Sequence, residues 1–114
     1  MSQLAVCWDG RPVGVIAHVR REGFCISGRF VPGDGFDACR AAFEEAYRGD
    51  EDYQRAIAAT GDPVGADRER WHAAVDAITP RVTLPGLGAP VEEFNVFADG
   101  GVEVYLSESD GPDA

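Results

Sequence analysis

The chain contains no lysine: all 10 basic residues among its 114 are arginine. Chemistry that needs a lysine Schiff base is therefore closed to it, and so is any phosphate loop ending in G-K-[ST]. Histidine is scarce as well. His18 and His72 are the only two, and they form no H-x-x-x-H pair that could begin a metal site. Cysteine occurs three times, at Cys7, Cys25 and Cys39, an odd number spaced too widely for C-x-x-C metal or redox chemistry. Their neighbours are apolar, so they read as reduced, buried small hydrophobes. Apolar runs fall well short of the roughly 18 residues that span a bilayer. The N-terminal stretch MSQLAVCWDGR lacks the basic start and long apolar segment of a secretion signal. The expectation is a cytoplasmic protein with no membrane partner.

With 45% hydrophobic and 10% aromatic residues, the chain has enough apolar material for one well-packed core. Residues 1–106 read as a single domain and 107–114, SESDGPDA, as an acidic flexible tail. The formal net charge is −10 and is unevenly placed. Residues 1–33 carry four arginines against two acids, a net of +2. Residues 34–114 carry six arginines against 18 acids, a net of −12. Such a chain repels a nucleic-acid backbone and attracts cationic partners.

Hydrophobic alternation gives three strands early in the chain, at 4–8, 13–19 and 24–31, with Phe24, Ile26, Gly28 and Phe30 sharing a face of the third. Asp9-Gly10 is the signature of a type I′ hairpin turn, and Arg20 to Gly23 read as a second turn. Gly28 in mid-strand marks a bulge or a close approach. Helical spacing then takes over. Phe36, Cys39, Phe43 and Tyr47 form the buried stripe of a first helix that Gly49 should end. Asp50 is placed to cap a second helix reaching Gly61-Asp62-Pro63, and a third runs from about Ala66 to Ile78 with Trp71, Val75 and Ile78 inward. Val82 and Leu84 suggest a short edge strand. Phe94–Phe97 and Val102–Leu106 flank Ala98-Asp99-Gly100-Gly101, a hairpin signal. The expected fold class is α+β: an antiparallel sheet of about five strands (βββ–ααα–ββ) with the helices packed on one face.

One stretch imitates a known motif. Gly33-Asp34-Gly35-Phe36-Asp37-Ala38 fits G-x-G-x-x-A, the dinucleotide fingerprint, which works inside a βαβ unit. Here the preceding strand follows two hairpin turns and is antiparallel, and more helix follows. Asp34 and Asp37 also place two carboxylates where a pyrophosphate would sit; at an effective dielectric of about 20, like charges some 4 Å apart cost roughly 4 kcal/mol. The stretch reads as a strand-to-helix turn in which Asp34 caps the helix.

The remaining sequence suggests a docking protein more than an enzyme. Glu44, Glu45, Tyr47, Asp50, Glu51, Asp52 and Tyr53 gather acids and aromatics within ten residues, a composition that suits an arginine-rich partner. The profile is that of toxin-neutralising immunity proteins and phage inhibitors, an analogy of composition with no motif behind it. The expected function is a non-enzymatic acidic binding protein that neutralises a basic protein partner, without cofactor, metal or catalytic residues. The alternative is a small-ligand domain or minor enzyme using the polar sheet face around His18, Ser27 and Arg29.

Overall fold

A computed structural model describes residues 3–60, 65–87 and 89–107. The N-terminal hairpins form as their turn residues dictate. Strands β1 (Gln3–Trp8) and β2 (Arg11–Glu22) are joined by Asp9-Gly10, with both residues at positive φ, 52° and 83°, as a type I′ turn requires. Strand β2 is longer than its alternation suggests. It continues through Arg20 and Arg21, and the turn to β3 (Cys25–Pro32) is only Gly23-Phe24. Phe24 therefore leaves the inward face expected of it and stands 48% exposed.

Two bulges in β2 explain the altered parity. Val13 lies where the pairing shifts between Val6↔Gly14 and Cys7↔Pro12, so both Val13 and Ile16 turn into the core. The pairing with β3 shifts again between Ala17 and Arg20, across His18, whose φ of 56° is that of a bulge residue. Gly28 lies opposite that bulge. A Cβ there would stand 2.5 Å from Ile16 Cγ2 and 2.6 Å from the Ala17 carbonyl, which accounts for glycine in mid-strand.

Beyond β3 the chain makes a 3-10 turn, Asp34–Ala38, and enters helix α1 (Arg40–Thr60). Asp34, expected as the cap, is the first residue of the 3-10 turn, whose cap position is held by Gly33 without a side-chain hydrogen bond. Gly35 is needed for proximity, because a Cβ there would lie 2.3 Å from the Pro12 carbonyl oxygen. Phe43, the central residue of the expected stripe, packs its ring against five others, Trp8, Phe30, Phe36, Tyr47 and Phe94, at centroid distances of 5.1 to 6.3 Å.

Among the described residues two helices stand where three were expected. Gly49 does not end the first; α1 runs through it, and it faces α2 (Gly65–Ile78), where a Cβ would come within 3.1 Å of Trp71 Cα. Its missing side chain lets two backbones approach. Asp50, expected as a cap, is instead buried in mid-helix at 5% exposure. The expected helix end at 61–63 lies outside the described residues, as does all of the expected tail beyond Ser107.

After α2, a 3-10 turn (Thr79–Arg81) leads to the two-residue strand β4 (Val82–Thr83), which pairs with Cys7-Trp8, and then to the hairpin β5 (Val91–Val96) and β6 (Gly101–Leu106). Among the described residues the sheet has six strands rather than the five expected, all antiparallel, in the order β4-β1-β2-β3-β6-β5. It curls until its edge strands β4 and β5 approach each other. The Thr79 hydroxyl spans the seam, donating to the Val75 carbonyl (2.9 Å) and accepting from the Phe94 amide (3.0 Å). Inside lie Ile16, Ile26, Phe30, Phe94, Val96, Val104 and Leu106, covered by Phe43, Ala46 and Ile78 from the helices.

Candidate functional site

The expected acidic junction is a stretch of continuous helix, and its residues have separate destinations. Asp50 Oδ2 accepts from the Ala98 amide (2.8 Å) and its Oδ1 from Gln54 Nε2 (3.5 Å), so this carboxylate pins the β5–β6 turn to α1. Burial of the acid is offset by those two donors. Glu45 and Asp52 both bind Arg70 of α2, at 3.3 and 2.7 Å, and each also meets an arginine on its own helix, Arg48 and Arg55. Tyr47 is half-buried against Phe43, and burial raises its phenol above the ordinary value. Glu44 and Glu51 are exposed and take part in no ion pair among the described residues. Tyr53 lies nearly parallel to Trp71, at 6.3 Å and 12°.

Around Phe97 the surface opens into two clefts. The first, about 420 Å³, lies between α1 and the β5–β6 turn and is lined by Asp50, Glu51, Gln54, Arg55, Phe97, Ala98 and Asp99. The second, about 240 Å³, lies where α2 passes the β5 edge; Tyr53, Arg68, Trp71, His72, Glu93, Asn95, Phe97, Glu103 and Tyr105 line it. The Trp71 ring forms its back. It stacks on Phe97 at 5.6 Å and donates its indole N–H to the Val96 carbonyl (3.1 Å), as its register with Val75 and Ile78 requires of a residue turned inward. Arg68 is the cation of this cleft, and its Nε lies 3.4 Å from His72 Nε2. Tyr105 donates to Glu103 Oε1 at 3.4 Å, and the negative field of Glu103, ahead of smaller contributions that include Glu93, raises the phenol above its ordinary value.

The sheet face around His18, Ser27 and Arg29 does not form one pocket. Ser27 shares a cleft of about 270 Å³ with Arg20, Glu22 and Cys25, and neither His18 nor Arg29 lines it. His18 stands exposed on its bulge, and Arg29 Nη1 donates to the Asp99 carbonyl (2.6 Å), locking the β5–β6 turn. Cys7 and Cys39 are buried and Cys25 is half-buried; burial pushes the Cys39 thiol up. Among the described residues no three His, Cys, Asp or Glu side chains are placed to hold a metal ion, and no helix is long and apolar enough to cross a membrane.

Sequence reasoning missed Phe97, Glu93, Asn95, Glu103 and Tyr105 as a group. Their signal was present: the polar positions of the last two strands alternate as Glu93, Asn95 and Glu103, Tyr105, and antiparallel pairing sets Glu93 against Tyr105 and Asn95 against Glu103. Comparison of the chain with protein-family models, with curated proteins and with solved structures finds no match.

Proposed function

We propose that this is a non-enzymatic acidic binding protein, of the immunity or inhibitor kind, that docks on a basic protein partner through the face centred on Phe97. The observation that carries this reading is the meeting of two clefts at one ring. The carboxylates flanking that ring, Glu51, Asp99, Glu93 and Glu103, have no arginine within ion-pair distance among the described residues. Aromatic surface ringed by unneutralised acids favours a cationic partner in both on-rate and contact energy. Of the seven junction residues, Asp50, Glu51 and Tyr53 line the two clefts, Asp50 while also holding the β5–β6 turn; Glu44, Glu45, Tyr47 and Asp52 lie on the same helix and line neither.

The test uses a fluorescent arginine-rich polypeptide as the basic partner. Reversing Glu51 and Glu103 to arginine should weaken its binding at least about tenfold more than reversing Glu69 and Asp76, exposed acids that line neither cleft. Binding should also fall sharply between low salt and physiological salt, where the Debye length is about 8 Å. Equal weakening by the two reversals would show attraction to net charge alone and defeat the reading.

A further inference from the structure

Asn95 is 4% exposed and lines the second cleft. Its Nδ2 donates to Glu93 Oε1 (3.1 Å) and to the Glu103 carbonyl (3.2 Å). Both partners are pure acceptors, so the orientation of the carboxamide is settled by chemistry: only the nitrogen can face them. Oδ1 is left on the other side with no donor among the described residues. In a residue only 4% exposed such an oxygen has little access to solvent, and its unused hydrogen-bonding capacity calls for a donor reaching it through the cleft that Asn95 lines.

The other groups around it have the same need. The Glu93 and Glu103 carboxylates are acceptors without a cation, Tyr105 already gives its proton to Glu103, and the Trp71 N–H is committed to Val96. The cleft thus presents oxygen acceptors beneath the aromatic side chains of Tyr53, Phe97 and Tyr105, its free donors confined to the rest of the Arg68 guanidinium on the α2 side. The complementary ligand is flat, cationic and rich in N–H groups. A guanidinium meets all three demands, since it is planar, carries five donors in a fixed fork and stacks on aromatic rings. An ammonium is a compact charge with three donors and does not stack. The volume, about 240 Å³, suits one long side chain rather than a larger ligand.

We infer that the cleft between α2 and the β5–β6 strands is a guanidinium-binding site that takes one arginine side chain of the basic partner, with Asn95 Oδ1, Glu93 and Glu103 as its acceptors. The inference rests on the docking face proposed above and names what that face recognises. Arg68, turned toward His72 and in ion-pair contact with neither Glu93 nor Glu103, stands at the cleft as a competing charge.

The probes are N-acetyl-arginine methylamide and its lysine counterpart, followed by NMR at the Trp71 indole N–H and the Asn95 carboxamide. The arginine amide should shift both signals and bind several-fold more tightly than the lysine amide. Glu103→Gln, a change at an exposed position, should weaken it about tenfold, as loss of a charged hydrogen-bond partner does. Asn95→Leu should do the same where its amide spectrum shows the native fold, and Arg68→Ala should tighten binding. Equal binding of the two amides, shifts confined to residues outside the cleft, or indifference to Glu103→Gln would each overturn the site. An arginine-rich polypeptide that binds the face without moving the Trp71 and Asn95 signals would overturn it too, while sparing the docking face. Arginine amide seated in the cleft of a protein that ignores the polypeptide would uphold the guanidinium site and defeat the docking reading.

Discussion

At the scale of single residues, Asp50 shows what a sequence conceals. After a glycine and before Glu51-Asp52 it resembles a helix cap, yet it is a buried mid-helix anchor for the hairpin 48 residues away. Its partner, the Ala98 amide, is a backbone group, and a backbone group leaves no trace in side-chain pattern. Asp50→Ala should cost about 1–3 kcal/mol in urea unfolding, because the Ala98 N–H loses its acceptor. Asp50→Asn, which keeps an oxygen in place, should cost less. Tyr47 makes a second prediction, on pH. Its folded-state phenol is raised, chiefly by burial, above the ordinary value of 10.0. The folded protein then holds a proton that the unfolded chain releases. This contribution is fully present below pH 10 and is lost as pH rises through the folded value. Cys39, raised by burial from 9.0, acts with the same sign. Stability measured by denaturant should decline from about pH 9 upward, and Tyr47→Phe should flatten the part of that decline above pH 10. A profile identical to that of the parent would remove Tyr47 from the account.

At the scale of elements, most of the fold was legible. The type I′ turn at Asp9-Gly10, the edge strand at Val82, the final hairpin and the inward stripe of α2 follow from local chemistry and alternation. The failures share a cause. Gly49 stands in the middle of a helix because Trp71 of another helix needs its space, and His18 and Val19 break the alternation of β2 because Gly28 opposite leaves room for a bulge. Gly49 serves long-range packing, which sequence spacing does not encode; Gly28 was read as a bulge or close approach, but the bulge itself falls on the facing strand, where spacing gives no sign of it. Of the residues lining the two clefts, Asp50, Glu51 and Tyr53 were singled out from the sequence; the alternation of the β5–β6 positions was visible there too, but their meeting with Tyr53 and Trp71 was not, because it depends on how α2 passes the sheet edge. Gly49→Leu tests the helix contact. With backbone only 3.1 Å from the Cβ position, leucine must drive the helices apart, at a cost of about 1–3 kcal/mol from overpacking, against a helix-propensity gain of under about 1 kcal/mol. Thermal unfolding together with Trp71 fluorescence would register the separation; an unchanged melting temperature would mean that α1 and α2 are not held by this approach.

At the scale of the whole molecule, charge and fold are arranged separately. The acids Glu45 and Asp52 of α1 are met by Arg48 and Arg55 of the same helix and by Arg70, which ties α2 to α1, and Arg81 lies over the Trp8 ring at 4.5 Å while binding Asp9 at the β1–β4 edge. Arginine suits these places because its planar fork both pairs with carboxylates and stacks on rings. The acids near Phe97 have no such partner, so the unneutralised part of the net charge of −10 includes the face that carries the two clefts.

The sheet order also sets a timetable. The pairs β1–β2, β2–β3 and β5–β6 join near neighbours in the chain, but β3–β6 brings Cys25–Arg29 to Gly101–Tyr105 and closes a long loop that contains both helices. Loop closure must precede any contact across that seam, so the two hairpin regions can form early while the molecule waits for their union. Val104, fully buried on β6 and paired with Ile26, lies on the seam. Val6→Ala, within the early meander, should slow refolding in proportion to the stability it removes, whereas Val104→Ala, whose contacts across the seam complete only after closure, should act mainly by speeding unfolding. Stopped-flow refolding and unfolding arms of both variants would decide the order, and the reverse pattern would place nucleation at the β3–β6 seam.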